Sequence, residues 1–104
     1  MSALHINDTN FQAEVLDSSQ TTLVDFWAPW CGPCRMMGEV VDELADEVGD
    51  DAVVAKVNID EAPETALSYG ITSIPTFAVI QDGKITSRFS GVVDKETLKR
   101  ALAV

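Results

Sequence analysis

Thr22-Leu23-Val24-Asp25-Phe26-Trp27 and Val53-Val54-Ala55-Lys56-Val57-Asn58-Ile59 are apolar on both faces of an extended chain. A strand with one face in water alternates polar and apolar residues, so runs of this kind belong to central strands covered on both sides. Each run holds one ionisable residue near its middle, Asp25 in the first and Lys56 in the second. A charge there costs several kcal/mol unless it is paired or neutralised.

The segments around these runs supply the cover. Leu4-His5-Ile6 is a short candidate edge strand, and Asn7-Asp8 can cap a helix with Phe11, Val15 and Leu16 on one face. The lone His5 reads as a surface residue. Ser18-Ser19-Gln20 breaks that helix, and Pro29 ends the first central run. Met37, Val40, Val41, Leu44, Ala45 and Val48 then recur at helical spacing, with Asp42, Glu43, Asp46 and Glu47 on the solvated side. Met36 and Met37 read as core filler rather than soft-metal ligands.

Asp60-Glu61-Ala62-Pro63 opens a further helix that runs through Leu67 and Tyr69 and closes at Gly70. The strand Thr76-Phe77-Ala78-Val79-Ile80 turns at Asp82-Gly83 and returns as Lys84 to Ser90, a hairpin. Asp94 suits the N-cap of a last helix with Leu98, Ala101 and Leu102 inward. The order β-α-β-α-β-α-β-β-α reads as three crossover units followed by a hairpin and a helix. The expected fold is an α/β sandwich with a mixed, five-stranded central sheet and four helices, one domain over residues 1–104.

Trp30-Cys31-Gly32-Pro33-Cys34 carries the only two cysteines of the chain, just beyond the first central run and at the mouth of the longest helix. Open sheets gather ligands at the C-terminal ends of parallel strands, and the cysteines fall at such an end. A disulfide over so short a loop adds little as a staple, so it makes more sense as a bond meant to break. The thiolate is the nucleophile of disulfide exchange, and a helix N-terminus stabilises it. Cys31 has that position and is assigned as the nucleophile, with Cys34, one turn inside, as the resolving thiol. Closed tetrahedral zinc calls for four Cys or His ligands, whereas this chain has two cysteines and one distant histidine. A metal site and a static structural disulfide are the weaker alternatives, and no metal or cofactor is expected.

Burial is expected to raise the pKa of Asp25. If the two central strands are neighbours and Lys56 lies near, Asp25 could take the proton of Cys34 as that thiol attacks a mixed disulfide. The alternative is a satisfied ion pair at the sheet margin.

Seven Lys and Arg against seventeen Asp and Glu give a net charge of -10. That balance repels phosphate backbones and anionic lipid, which argues against nucleic-acid or membrane binding. The opening Met1-Ser2-Ala3-Leu4-His5 lacks a basic segment followed by a long apolar run, so a cytoplasmic protein is expected. In that reducing compartment a cysteine pair is more often catalytic or metal-binding than structural.

With Asp25-Phe26-Trp27-Ala28-Pro29-Trp30-Cys31-Gly32-Pro33-Cys34, Lys56-Val57-Asn58-Ile59-Asp60, Ile74-Pro75-Thr76, Asp82-Gly83 and Gly91 in this order, the chain resembles the thioredoxin family over essentially its whole length. The resemblance implies a three-layer α/β/α sandwich and a cis peptide bond before Pro75, beside the cysteines. It implies a docking surface of Trp30, Gly32, Pro33, Ile74, Pro75, Gly91 and Val92, and reduction of other proteins' disulfides with recharging by a thioredoxin reductase; a monomer is the default expectation. Gly32-Pro33 lacks the histidine found between the cysteines of oxidising relatives, which implies a reductant. The chain departs from the family pattern at three places: Glu39 stands where relatives carry a helix-bending proline, Ser90 takes a position that is commonly apolar, and Thr72-Ser73 lacks a basic residue. A non-redox docking module and a glutathione-dependent enzyme are the rival readings.

Overall fold

Five strands, β1 (Leu4–Ile6), β2 (Thr22–Trp27), β3 (Val53–Asn58), β4 (Thr76–Gln81) and β5 (Lys84–Ser90), form one mixed sheet in the order β1-β3-β2-β4-β5. The structure is a computed structural model and describes residues 3–104. Met1 and Ser2, where the expected domain and the opening segment begin, lie outside the described residues. Strand β2 has β3 parallel on one side and β4 antiparallel on the other, and its first five residues are fully buried. This is the double cover that its apolar pattern demands.

Helices α1 (Gly32–Val48) and α3 (Lys95–Leu102) cover one face, where Leu23, Phe77 and Val79 pack with Met37, Val41, Leu44, Leu98 and Leu102. The opposite face joins Val24, Phe26, Ala55, Val57 and Ile80 to Phe11 and Val15, with Tyr69 against them. Its cover is a short π-helix, Gln12–Leu16, and α2 (Pro63–Ser68). Among the described residues the result is the expected α/β/α sandwich with a mixed five-stranded sheet and four helices, besides a single 3₁₀ turn at Gly49–Asp51.

Local geometry departs from the sequence reading at several places. The first helix is a π-turn in which the Asp17 N–H donates to Gln12 O at 2.8 Å, and this wide turn sets Phe11, Val15 and Leu16 against one core. The third connection is not a crossover, because β4 runs antiparallel to β2. Met37 is buried as expected, but Met36 is exposed on α1, one residue round the helix from the apolar stripe.

Asn7-Asp8 does not cap the first helix, whose N-cap is Phe11 with no side-chain hydrogen bond, whereas several other expectations hold. His5 is exposed. Asp82 and Gly83 take positive φ values of 53° and 77°, the pair a tight hairpin of this hand requires. Asp94 caps α3 by accepting from the Thr97 N–H at 2.9 Å. Helix α1 runs unbroken through Gly38 and Glu39, since Glu39 keeps the backbone N–H that a proline lacks.

Helix α2 depends on distant residues at both ends. Ala62 at its N-cap has no side chain able to accept a hydrogen bond, and Asp8 fills the role from across the chain. Asp8 Oδ1 accepts from the Thr65 N–H and hydroxyl at 2.9 and 2.6 Å, and Oδ2 from the Glu64 N–H at 3.3 Å. At the other end Arg88 donates to Tyr69 O and Gly70 O at 2.7 and 3.2 Å. The Thr65 hydrogen bonds hold the Asp8 carboxyl below its ordinary pKa. A carboxyl lowered in the folded state stabilises the fold above its unfolded pKa and loses that contribution as pH falls through the folded value. Asp8→Ala is expected to lower the denaturation midpoint at neutral pH, with the difference from wild type closing in acid; urea unfolding between about pH 2 and pH 7 measures it.

Candidate active site

After β2 the chain turns through Ala28-Pro29-Trp30, and the Cys31 N–H donates back to Ala28 O at 3.1 Å. Cys31 is the N-cap of α1, with extended backbone, and its Sγ accepts from the Cys34 N–H at 3.2 Å. Pro33 occupies the first turn, where no intrahelical N–H bond is lost. The free N–H groups and dipole of a 17-residue helix therefore face the Cys31 sulfur. The two cysteines are joined as a disulfide with Cα atoms 5.2 Å apart. Cys31 is 7% exposed and Cys34 only 2%, so solvent and any partner meet Cys31 first.

Ile74 packs against the cysteines, and its carbonyl oxygen lies 3.9 Å from Cys31 Sγ. The Ile74-Pro75 peptide is cis, as the family resemblance implies. Gly91, at φ 82°, donates its N–H to Pro75 O at 2.9 Å, which ties the β5 end to this loop. Pro75 itself is buried and shapes the floor of the surface, whereas Val92, Pro33 and Trp30 are exposed and Ile74, Gly32 and Gly91 half-buried. Trp30 is held by its indole N–H donating to Asp60 Oδ2 at 2.9 Å. Ser90 sits opposite Thr76 in register, their hydroxyls 3.5 Å apart, which gives this polar substitution a partner inside the sheet.

Asp25 and Lys56 stand directly opposite each other on neighbouring strands β2 and β3. Asp25 is 1% exposed, and neither of its carboxyl oxygens has a hydrogen-bond partner. The satisfied ion pair weighed from sequence is therefore not closed by a direct bond. Burial pushes the Asp25 pKa up to about 7; the Lys56 charge pulls it down and Asp42 on α1 pushes it further up. Trp27, two residues on, shares the Asp25 face of β2 and packs against Cys31 and Cys34. A carboxyl that changes charge near neutrality thus lies on the strand face that leads to the disulfide.

Three neighbours of the site escape a reading from sequence. Trp27 reads as one more apolar strand residue, although two tryptophans so near the cysteines are a compositional signal. Asp60 follows the third strand and gives no local sign of its bond to Trp30. Arg35 donates to Pro29 O at 2.9 Å and braces the loop before Cys31. Among the described residues no group of three or more His, Cys, Asp or Glu side chains is placed to hold a metal ion, and no helix is long and apolar enough to cross a membrane.

The Asp25 carboxyl makes stability depend on pH. In the unfolded chain it ionises near its ordinary 3.8, while in the folded chain it stays protonated until about 7. A group raised in this way contributes stability that is complete below the unfolded pKa and is lost as pH climbs through the folded one. Unfolding free energy is expected to fall by on the order of 4 kcal/mol between about pH 4 and pH 8, and Asp25→Asn to flatten that slope, as read by urea denaturation across the range.

A family model described as Thioredoxin matches residues 2–104. Thioredoxin 1 of Synechococcus elongatus is 51% identical over 100 residues, which span 96% of this chain and 94% of that protein. Thioredoxin 2 of Chlorobaculum tepidum is 50% identical over 95 residues, 91% of this chain and 87% of that protein. The chloroplastic M-type thioredoxin of Chlamydomonas reinhardtii is 50% identical over 93 residues, 89% of this chain and 66% of that protein.

Proposed function

Because the chain belongs to the thioredoxin family and is a thiol-disulfide oxidoreductase with protein-disulfide reductase activity, we propose the following division of work among its residues. Reduced Cys31 attacks a target disulfide as the thiolate; its sulfur bonds to one target sulfur and the other leaves as a thiolate that takes a proton from water. Cys34 then gives up its proton and attacks Cys31 in that mixed disulfide, which closes the Cys31–Cys34 bond and releases the second target sulfur as a thiolate that water protonates. Two electrons pass from the dithiol to the target.

The observation that carries this reading is the asymmetry of the pair. Cys31 is the outer sulfur at the helix N-cap, and Cys34 is the shielded one. A thiolate at Cys31 is favoured by the α1 dipole and by the Cys34 N–H that already points at its sulfur. Asp25, titrating near neutrality beside Lys56, accepts the Cys34 proton as that thiol attacks and returns it in the reverse step. The target's extended segment docks on Trp30, Gly32, Pro33, Ile74, Gly91 and Val92, over the floor that Pro75 makes.

The working form is a monomeric single domain in the cytoplasm, recharged by a thioredoxin reductase, and its partners are disulfide-bearing proteins. The cysteines carry the electrons themselves, so the reaction calls for no bound cofactor. With only Gly32-Pro33 between the sulfurs, no imidazolium adds to the stabilisation of the Cys31 thiolate, and the pair acts as a reductant.

Insulin disulfide reduction tests the assignment, run with an NADPH flavoenzyme reductase and with a ferredoxin-linked one. Wild type is expected to turn over with one of these donors, Cys31→Ser to be inactive, and Cys34→Ser to accumulate a mixed disulfide through Cys31. Turnover by Cys31→Ser would overturn Cys31 as the nucleophile, and full biological activity in the variant lacking both cysteines would favour the non-redox docking module. A redox titration is expected to place the couple below glutathione, and a value above it would contradict the reductant assignment.

A further inference from the structure

Trp27 takes no part in the exchange above, yet it meets both of the site's chemical groups. It packs against the cluster formed by Ala28, Cys31 and Cys34. Lys56 Nζ stands over its ring, 5.2 Å from the centroid. An ammonium within about 6 Å of an aromatic face is drawn by the ring's quadrupole, and indole attracts most strongly. Lys56 is opposite Asp25 in register, and Trp27 follows Asp25 by two residues on the same face, so carboxyl and ring flank one ammonium.

No direct bond holds that ammonium to the carboxyl, because both Asp25 oxygens are without a hydrogen-bond partner. Above it α1 presents Gly38, where a Cβ would lie 3.6 Å from Nζ, so the helix offers room rather than an acceptor. A lysine stem is flexible, and an unrestrained ammonium would move toward water. The indole face supplies the restraint that the carboxyl does not.

We propose that Trp27 is a positioning residue of the disulfide exchange, its ring fixing the Lys56 ammonium beside Asp25; this rests on the reading of Asp25 as the group that trades a proton with Cys34. The ring couples the electrostatics of the carboxyl to the element that also packs on the cysteines. The charged and titratable groups around this row come from β1, α1 and α3. His5 on β1 is in register with Lys56 on its far side, and Asp42 on α1 opposes the effect of Lys56 on Asp25. Glu39, next to Gly38 on α1, is exposed; Lys95 and Lys99 on α3 are engaged by Glu47; and β4 places the uncharged Phe77 opposite Asp25.

The test is the titration midpoint of the Asp25 carboxyl carbon, followed by NMR in the full oxidised chain and therefore independent of turnover. Trp27→Leu is expected to raise the midpoint as far as Lys56→Met does, with no further rise in the double variant. Trp27→Phe keeps a π face and discards only an indole N–H that has no acceptor, so it is expected to stay near wild type. Should Trp27→Leu fail to fold, tetrafluorotryptophan in a Trp30→Phe background keeps the shape of the ring while withdrawing its charge, and is expected to move the midpoint in the same direction. A wild-type midpoint in the Leu or fluorinated protein, additive shifts in the double variant, or no effect of Lys56→Met would each overturn the proposal. Failure of the catalytic reading shows separately, as disulfide exchange that does not respond to loss of the Asp25 carboxyl.

Discussion

Strand β2 is bonded on both edges and buried on both faces, and the placement of the site follows from that constraint. Its parallel register with β3 sets Asp25 opposite Lys56, and its antiparallel register with β4 sets Asp25 opposite Phe77. Its C-terminal end delivers the chain to Cys31 at the α1 N-terminus. A shift of one residue in this strand would turn Asp25 and Trp27 to the opposite face and bring Phe26 under α1. The hydrophobic pattern of β2 thus fixes the fold and aims the chemistry together.

The two ends of the mechanism use opposite electrostatic strategies. Cys31 sits where backbone N–H groups and the helix dipole favour negative charge, which suits the thiolate attack proposed for it. Asp25 sits where no donor reaches it and burial disfavours its charge, so its proton becomes exchangeable near neutral pH. Folding bears the cost of that carboxyl, offset by the packed layers around it. Perturbed buried carboxyls cluster at functional sites, and an apolar residue in the same place would serve stability better.

Much of this could be read from sequence because it rests on local pattern. Runs apolar on both faces identify β2 and β3, Asp82-Gly83 identifies the hairpin, and Asp94 identifies the cap of α3. Periodicity carries no direction, however, so the antiparallel return of β4 was hidden in a connection that resembles a crossover. A helical pattern also does not resolve residues at the border of its stripe, which is why Met36 and Met37 read alike yet lie on different sides of the surface. The bond from Asp8 to Thr65 and that from Trp30 to Asp60 join distant segments, and only the assembled fold brings them together. The raised Asp25 pKa follows from burial in a central strand, but the open gap to Lys56 and the ring beside it depend on side-chain placement.

The central claim, that Asp25 serves Cys34 as a proton acceptor, is tested most directly by single-turnover resolution of a mixed disulfide preformed between Cys31 and a peptide, followed against pH in wild type and Asp25→Asn. The wild-type rate is expected to rise with an inflection near the Asp25 pKa of about 7, and the Asn variant to be slower and to lack that inflection. Superimposable profiles for the two proteins would contradict the account.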